Sequence, residues 1–156
     1  MSDYIMSLRR QVGHRPLLQV GASVIVADES GRVLLQRRTD NGCWGYSGGS
    51  VEPGEDVEVA AARELREETG LIAREMELFG VFSGESMHYV YPNGDEVYNV
   101  DVVYLCRRWE GTLLPQVGEV EELEWFDPGE LPGPLMPPNI PALEKYAERK
   151  NALSHG

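Results

Sequence analysis

Runs of apolar and β-branched residues near the start of the chain predict two strands. Residues 18–27 (LQVGASVIVA) form the first run and residues 33–38 (VLLQRR) the second, with the turn-forming segment 29–32 between them. Two strands joined by so short a turn usually pair as a hairpin, and we expect these two to do so. Residues 1–16 are mixed and polar, and we expect only a short lead-in there.

A glycine-rich loop and then a helix should follow these strands. Residues 39–55 contain five glycines and one proline, which is typical of a loop. From about Val57 to Thr69 the spacing of apolar residues predicts a helix. Asp56 precedes this helix as a candidate N-cap, and Gly70 follows it where a left-handed C-terminal residue is usual.

The second half of the chain is dominated by predicted strands. They cover residues 78–84, 87–91, 97–109 and 123–126. The Asn93-Gly94 pair between the second and third of them is a strong hairpin signal. A proline-rich stretch, 128–138, precedes a last helix that we expect to begin near Pro141 and to end near Lys150. This pattern predicts a mixed sheet flanked by helices.

Composition and charge narrow the function. The chain has 156 residues with a net charge of −12, and its 42% hydrophobic content is ordinary for one globular domain. A chain this acidic repels the phosphate backbone of nucleic acid, and we therefore expect no nucleic-acid partner. Any phosphate group that it binds would need divalent metal ions to offset the negative charge. Cys43 and Cys106 are too few for a disulfide framework. No apolar run is long enough for a membrane span, and the N-terminus lacks a signal peptide's apolar stretch, so we expect a cytoplasmic protein without membrane partners.

Three glutamates share one face of the predicted helix. Glu64, Glu67 and Glu68 stand at positions i, i+3 and i+4, which places them within an arc of about 100°. Like charges at these spacings destabilise a helix unless a cation neutralises them. Mg²⁺ and Mn²⁺ prefer oxygen ligands of this kind, and Arg63 is spaced to pair with Glu67. Taken alone, the three glutamates fit a solvated helix with surface ion pairs better than a metal site.

The surrounding residues decide between these alternatives. Gly49 is followed after five residues by Glu55 and after seven more by the sequence RELREETGL at 63–71. This segment matches every fixed position in the signature of the Nudix hydrolase family, so the chain resembles that family from about residue 18 to residue 150. One departure is Tyr46-Ser47 before the two glycines, where many members have leucine and proline.

The resemblance implies a fold, a reaction and a metal site. The family's fold is an α/β/α sandwich with a mixed β-sheet, and we expect one such domain over residues 1–156, with a lead-in at 1–17. Members typically cleave a phosphoanhydride bond in a nucleoside diphosphate linked to another group, using Mg²⁺ or Mn²⁺. The implied metal ligands are the carboxylates of Glu64, Glu67 and Glu68 and the carbonyl of Gly48.

Further site residues follow from the same resemblance. Glu55 and Arg63 would orient the helix carboxylates, whereas Glu52 in the same loop is more typical of a solvent-facing residue. The general base is a box glutamate, here Glu67 or Glu68, in some members and a glutamate on a later loop in others. Glu119 lies where such a loop glutamate occurs, although the segment 119–130 holds six acids and also fits a solvated loop.

Substrate contacts are less defined by the sequence. Arg37 and Arg38 end the second predicted strand, and alternation sends them to opposite faces. One of them could reach a substrate phosphate, and a surface ion pair fits these arginines equally well. Four aromatic residues could stack on a base, but aromatic residues at strand spacing are more often core residues; the four are Trp44, Tyr46, Tyr91 and Tyr104. His14, His88 and His155 lack metal-ligand spacing, and neither cysteine has a paired histidine to activate it.

Three questions stay open at this stage, namely whether the protein is an enzyme, which substrate it takes and whether it dimerises. A Nudix domain that senses a nucleotide or a nucleotide sugar without turnover is the alternative to an enzyme, and the intact glutamates favour the enzyme. Isopentenyl diphosphate isomerase shares the fold but uses a catalytic cysteine in a different context. Met87 replaces a proline found in many ADP-ribose pyrophosphatases, and no subgroup motif defines the substrate. The long strand 97–109 could provide an edge for a homodimer.

Overall fold

Two β-sheets organise the core in the computed structural model, which describes residues 3–155. The strands are β1 (Leu17–Val26), β2 (Val33–Arg38), β3 (Trp44–Gly45), β4 (Ser47–Ser50), β5 (Ile72–Phe82), β6 (His88–Val90), β7 (Glu96–Glu110) and β8 (Val120–Phe126). The helices are α1 (Asp3–Val12), α2 (Val57–Thr69) and α3 (Ile140–His155), with 3₁₀ turns at Glu85–Met87 and Pro137–Asn139. Residues 1, 2 and 156 lie outside the described part.

The larger sheet is mixed, as predicted. Its strand order is β4-β1-β7-β5, and β6 also pairs with β7. Strands β1 and β7 are parallel over ten residue pairs, whereas β4, β5 and β6 pair antiparallel with their neighbours. The smaller sheet has the order β3-β2-β8 and is antiparallel.

Helices cover the sheets on two sides, which gives the expected α/β/α sandwich. Along β1, Val24 and Val26 pack in a cluster with Ala61 and Leu65 of α2. The intervening Ile25 packs in a second cluster that contains residues of α3. Successive side chains of a strand point to opposite faces, so the apolar run of β1 is buried on both of them.

The predicted pairing of the first two strands is wrong. Strands β1 and β2 belong to different sheets, and a single bridge between Ala27 and Val33 is their β-contact. Both edges of β1 are taken by β4 and β7, while β2 pairs with β3 and β8. The expected loop 39–55 accordingly contains two short strands, β3 and β4, that complete the two sheets.

Of the other local predictions, the hairpin and the bounds of α2 are confirmed, whereas the side-chain cap and the free sheet edge are not observed. The hairpin at residues 92–95 is confirmed, since the backbone N–H of Tyr91 donates to the carbonyl of Asp95 at 2.8 Å. Helix α2 has the predicted bounds and ends at Gly70 with φ of 81°, but the side chain of Asp56 makes no capping hydrogen bond. Strand β7 lies between β1 and β5, so it is not the free edge on which the homodimer was argued.

The N-terminal segment forms a helix where a lead-in was expected. The guanidinium of Arg9 on α1 is buried and donates to the carbonyls of Gly13, Arg15 and Glu96 at 2.5–3.0 Å. The carbonyl of Glu96 belongs to β7, so this one side chain fastens α1 to the larger sheet.

Two further expectations concern the cysteines and the membrane. Cys43 and Cys106 are both free thiols, as expected. Among residues 3–155, no helix combines the length and the apolar character needed to cross a membrane.

The packing of α2 gives a stability prediction. Leu65 is fully buried on the sheet side of this helix, so Leu65→Ala should lower the free energy of unfolding by about 2–5 kcal/mol. Val59 lies on the same helix and is 59% exposed, so Val59→Ala is the matched control, with an expected change within about 0.5 kcal/mol. Urea unfolding followed by circular dichroism measures both, and equal losses in the two variants would contradict the assigned packing.

Candidate active site

The glycines of β4 allow the helix carboxylates to approach the sheet. A Cβ atom at Gly49 would lie less than 3.0 Å from the Glu64 carboxylate. A Cβ atom at Gly48 would lie equally close to the side chain of Ser23, on the other side of the strand. Both faces of β4 must therefore stay free of side chains at these two positions. Sequence analysis had named Gly48 only for its carbonyl.

Glu68 is buried and held by three donors. The Ser47 hydroxyl and the Gly48 N–H donate to Oε1 at 3.0 and 2.9 Å, and Gln36 Nε2 donates to Oε2 at 2.7 Å. Burial, with a smaller contribution from repulsion by the Glu64 carboxylate, raises the pKa of Glu68 to about 7 despite the lowering effect of these hydrogen bonds. This carboxylate is therefore oriented by neutral groups and is costly to keep charged.

Arg63 connects the remaining glutamates of the site. Its guanidinium donates to both carboxylate oxygens of Glu55 at 2.8 and 3.0 Å, and to Glu64 at 2.9 Å. A longer contact of 3.5 Å reaches Glu67. The hydrogen bond from Arg63 keeps the pKa of Glu55 below its ordinary value, whereas burial raises the pKa of Glu64. The spacing predicted the pairing with Glu67, but the shorter contacts are those to Glu55 and Glu64.

The donor set fits a hard divalent cation chemically but is not gathered around one point. No three acidic, histidine or cysteine side chains among residues 3–155 converge in a geometry that would hold a metal ion. The reason lies in their present partners, since Glu68 faces Gln36 and the N–H of Gly48 while Glu64 faces Arg63. Two buried carboxylates that repel each other nevertheless form the kind of oxygen-rich site that a cation stabilises.

The two arginines of β2 face different surroundings, as alternation predicted. Arg37 pairs with Glu121 and Glu122 of β8 at 3.3 and 3.2 Å and not with the glutamates of α2. Arg38 donates to both oxygens of Asp40 at 2.9 and 2.7 Å and lies over the ring of Tyr91. Its charge also interacts with that of Glu68. Of the two candidates, the structure brings only Arg38 close to the glutamates.

Glu119 lies on an exposed loop just before β8. Its backbone carbonyl accepts a hydrogen bond from the N–H of Thr39 at 3.1 Å, which ties the loop to the end of β2. The Glu119 side chain is exposed to solvent. Glu52 is half-buried, and its backbone N–H donates to the Glu55 carboxylate at 3.1 Å.

A polar cleft opens beside the carboxylates, between the two sheets. Its enclosed volume is about 90 Å³, below the range of typical small-molecule pockets, and the rest of the cleft is open to solvent. Three of its lining residues contact the glutamates, since Gln36 and Gly48 donate to Glu68 and Gly49 borders Glu64. The lining also includes Gln19, Ser23, Arg38, Tyr46, Asn99, Asp101 and Asn139.

Sequence analysis missed several of these lining residues. Asp101 is buried and carried a usable signal, because it is a charge within the apolar run at residues 100–106. Gln36 and Ser47 carried no such signal, since only the fold brings them to Glu68.

The aromatic and histidine candidates have mostly structural roles. Trp44 and Tyr46 are core residues, and Tyr104 is buried in the α2 cluster, while Tyr91 lines the cleft. His14 contacts Asp95 and His88 contacts Glu96, both at 2.7 Å, away from the helix carboxylates. The side chain of His155 lies outside the described residues.

Comparison with known proteins agrees with this geometry. The family model for the NUDIX domain matches residues 17–146. A CTP pyrophosphohydrolase from Escherichia coli (strain K12) is 36% identical over 140 residues, covering 83% of this chain and 91% of the relative. An ADP-ribose pyrophosphatase from Methanocaldococcus jannaschii is 35% identical over 110 residues, covering 69% of this chain and 61% of the relative.

A solved structure extends the comparison to three dimensions. The crystal structure of a MutT NUDIX hydrolase from Burkholderia pseudomallei superposes with a TM-score of 0.70 at 32% identity, covering 82% of this chain and 97% of that one. The family model spans most of the chain, and the glutamate helix that identifies the signature lies where the cleft begins. This chain therefore belongs to the Nudix hydrolase family.

Proposed function

We propose that this protein hydrolyses a phosphoanhydride bond in a nucleotide, or in a nucleoside diphosphate linked to another group, with Mg²⁺ or Mn²⁺ as cofactor. The observation that carries the proposal is the face of α2, where Glu64 and Glu68 are buried beside Glu67 at the end of a polar cleft. The free thiols of Cys43 and Cys106 fit a reducing compartment such as the cytoplasm.

The metal ligands in this proposal are the three helix carboxylates and the Gly48 carbonyl. A bound divalent ion supplies charge neutralisation on the phosphate oxygens and makes a coordinated water more acidic. Arg63 prepares the site, because its contacts hold Glu55 and Glu64 in fixed orientations. Gln36 and the N–H of Gly48 do the same for Glu68.

Arg38 is the residue best placed to bind a substrate phosphate. It lines the cleft, its charge interacts with that of Glu68, and Asp40 fixes its guanidinium from one side. A planar guanidinium with further N–H groups recognises phosphate oxygens well. Arg37 has its guanidinium engaged with two acids elsewhere, so we assign it no phosphate contact.

The general base is proposed from two candidates. Glu67 lies on the carboxylate face with a side chain that is 32% exposed, and is therefore accessible to a water molecule. Glu119 is on a solvent-exposed loop tied to the end of β2, from which its side chain would have to reach the substrate.

A release assay tests the reaction itself. Phosphate or nucleoside monophosphate would be measured with Mg²⁺ or Mn²⁺ and a panel of nucleoside triphosphates, oxidised nucleotides, ADP-ribose, nucleotide sugars, dinucleoside polyphosphates and coenzyme A. We expect turnover of one class and its loss in EDTA. Absence of turnover from folded, metal-loaded protein would favour a nucleotide-binding sensor.

Glu68→Gln tests the metal site. The substitution keeps the size of the side chain and removes its charge, so we expect turnover to fall by at least about 100-fold with the fold preserved. Glu58→Gln is the matched control, because Glu58 is exposed in the first turn of the same helix and should leave the rate unchanged. Activity is measured at saturating metal and the fold by circular dichroism. Wild-type turnover in Glu68→Gln would refute the assignment.

Glu119→Gln tests the loop candidate for the general base. We expect a smaller loss of turnover than in Glu68→Gln, on the order of tenfold, since a helix glutamate can share the role. The control is Glu124→Gln, an exposed acid on the neighbouring strand β8. If both variants turn over substrate at the wild-type rate, Glu119 is an ordinary solvated residue.

The raised pKa of Glu68 predicts how stability depends on pH in the absence of metal. Its folded-state pKa of about 7 exceeds the ordinary value of 4.5, so the folded state binds a proton more readily than the unfolded state does. Stability in EDTA should therefore increase as the pH falls from 8 to 6, by up to roughly 1.4 kcal/mol per pH unit. Thermal unfolding measures this, and Glu68→Gln should flatten the dependence. A lower unfolding temperature at pH 6 than at pH 8 in the wild type would contradict it.

A further inference from the structure

Helix α2 leaves part of one face of the larger sheet uncovered. The helix packs in one cluster with Ala22, Val24 and Val26 of β1. The alternate residues before them, Leu18 and Val20, point to the same face, and their side chains are 76% and 45% exposed. The apolar pattern of β1 therefore continues beyond the part that the helix covers.

The strand register extends this uncovered face across β7 to β5. Residues that pair in the register point to the same side of a sheet. Tyr98 and Val100 of β7 therefore lie beside Leu18 and Val20. On β5, two further residues of this face are 60% and 58% exposed. The resulting apolar face has seven members, namely Leu18, Val20, Leu78, Val81, Tyr98, Val100 and Val102.

The size of the apolar face suits the centre of a protein interface. Three strands about 4.8 Å apart and seven residues of β7 give a footprint of roughly 15 Å by 20 Å. A standard interface covers about 800 Å² per partner and consists of an apolar centre with a polar rim. Monomeric proteins seldom leave a contiguous apolar patch open to water, so a partner that covers this one is expected.

Opposite charges border the two ends of the apolar face. At one end, the exposed Arg15 stands just before β1. At the other end, Asp56 and Glu58 at the start of α2 are exposed and close enough to Tyr104 to act on its hydroxyl group. Tyr104 is the register partner of Leu78. A second copy in antiparallel orientation would bring the basic end of each face to the acidic end of the other.

We propose that two copies of this chain pack through the apolar face, sheet against sheet, about a twofold axis. Such a contact needs one self-complementary surface, and apolar side chains of stacked sheets interdigitate. Over the rest of the surface, two chains that each carry a net charge of −12 repel each other. The cleft stays open in this dimer, because Gln19, Ser23 and Asp101 alternate to the opposite side of β1 and β7.

Sedimentation velocity over about 1–100 μM protein tests the dimer. We expect the wild type to reach twice the mass of one chain, with a Kd in the micromolar range or tighter. Leu18→Glu and Leu78→Glu each place a charge in the apolar face, and each should raise the Kd at least about 100-fold. Val117→Glu is the matched control, because Val117 is 98% exposed on the loop before β8 and outside the face. Its Kd should stay within about twofold of the wild-type value.

Circular dichroism checks that the variants fold, which we expect because Leu18 and Leu78 are exposed in a single copy. If either glutamate variant unfolds, Leu18→Gln and Leu78→Gln replace them, with an expected rise in Kd of about tenfold. A wild type that stays monomeric at the highest concentration would overturn the inference. So would a dimer whose Kd the face variants leave unchanged, or one that Val117→Glu weakens equally. Flotation of a monomer with phosphatidylcholine vesicles would assign the face to lipid instead.

Discussion

The burial of a carboxylate at the junction of three elements is the constraint on which the structure of this site depends. Glu68 projects from α2 into the interior, where an ionised group without partners would be very costly. Its partners come from β2 through Gln36 and from β4 through Ser47 and Gly48. One carboxylate thus connects the helix to a strand of each sheet. The pKa of Glu68, raised to about 7, shows that these neutral donors compensate only part of the burial cost, which a divalent cation would lower further.

Strand β4 divides the chemistry of the protein into two compartments. On one side of Gly49 the helix carboxylates approach the backbone, and on the other side of Gly48 the cleft begins at Ser23. The two glycines thus let a side chain of α2 approach the strand on one face and a side chain of β1 approach it on the other.

How far the sequence predicted the structure depended on the range of the interactions. Helix α2 and Gly70 were predicted well because spacing and backbone conformation within a few residues determine them. The pairing of β1 with β2 was wrong because strands far along the chain, β7 and β8, compete for the same edges. Helix α1 was missed because its anchor, Arg9, bonds to a carbonyl of β7 that no local pattern reveals.

The alternation of side chains along the strands affects how substitutions can change the site. Side chains along β1 and β7 point alternately to the α2 face and to the α3 face, so cleft residues such as Asp101 are interleaved in sequence with those that support the helix. Substitutions at positions 99 and 101 can therefore alter the chemistry of the cleft while their neighbours 102 and 104 continue to pack against α2. Single substitutions on β7 can therefore change the substrate preference while the glutamates of α2 keep their positions.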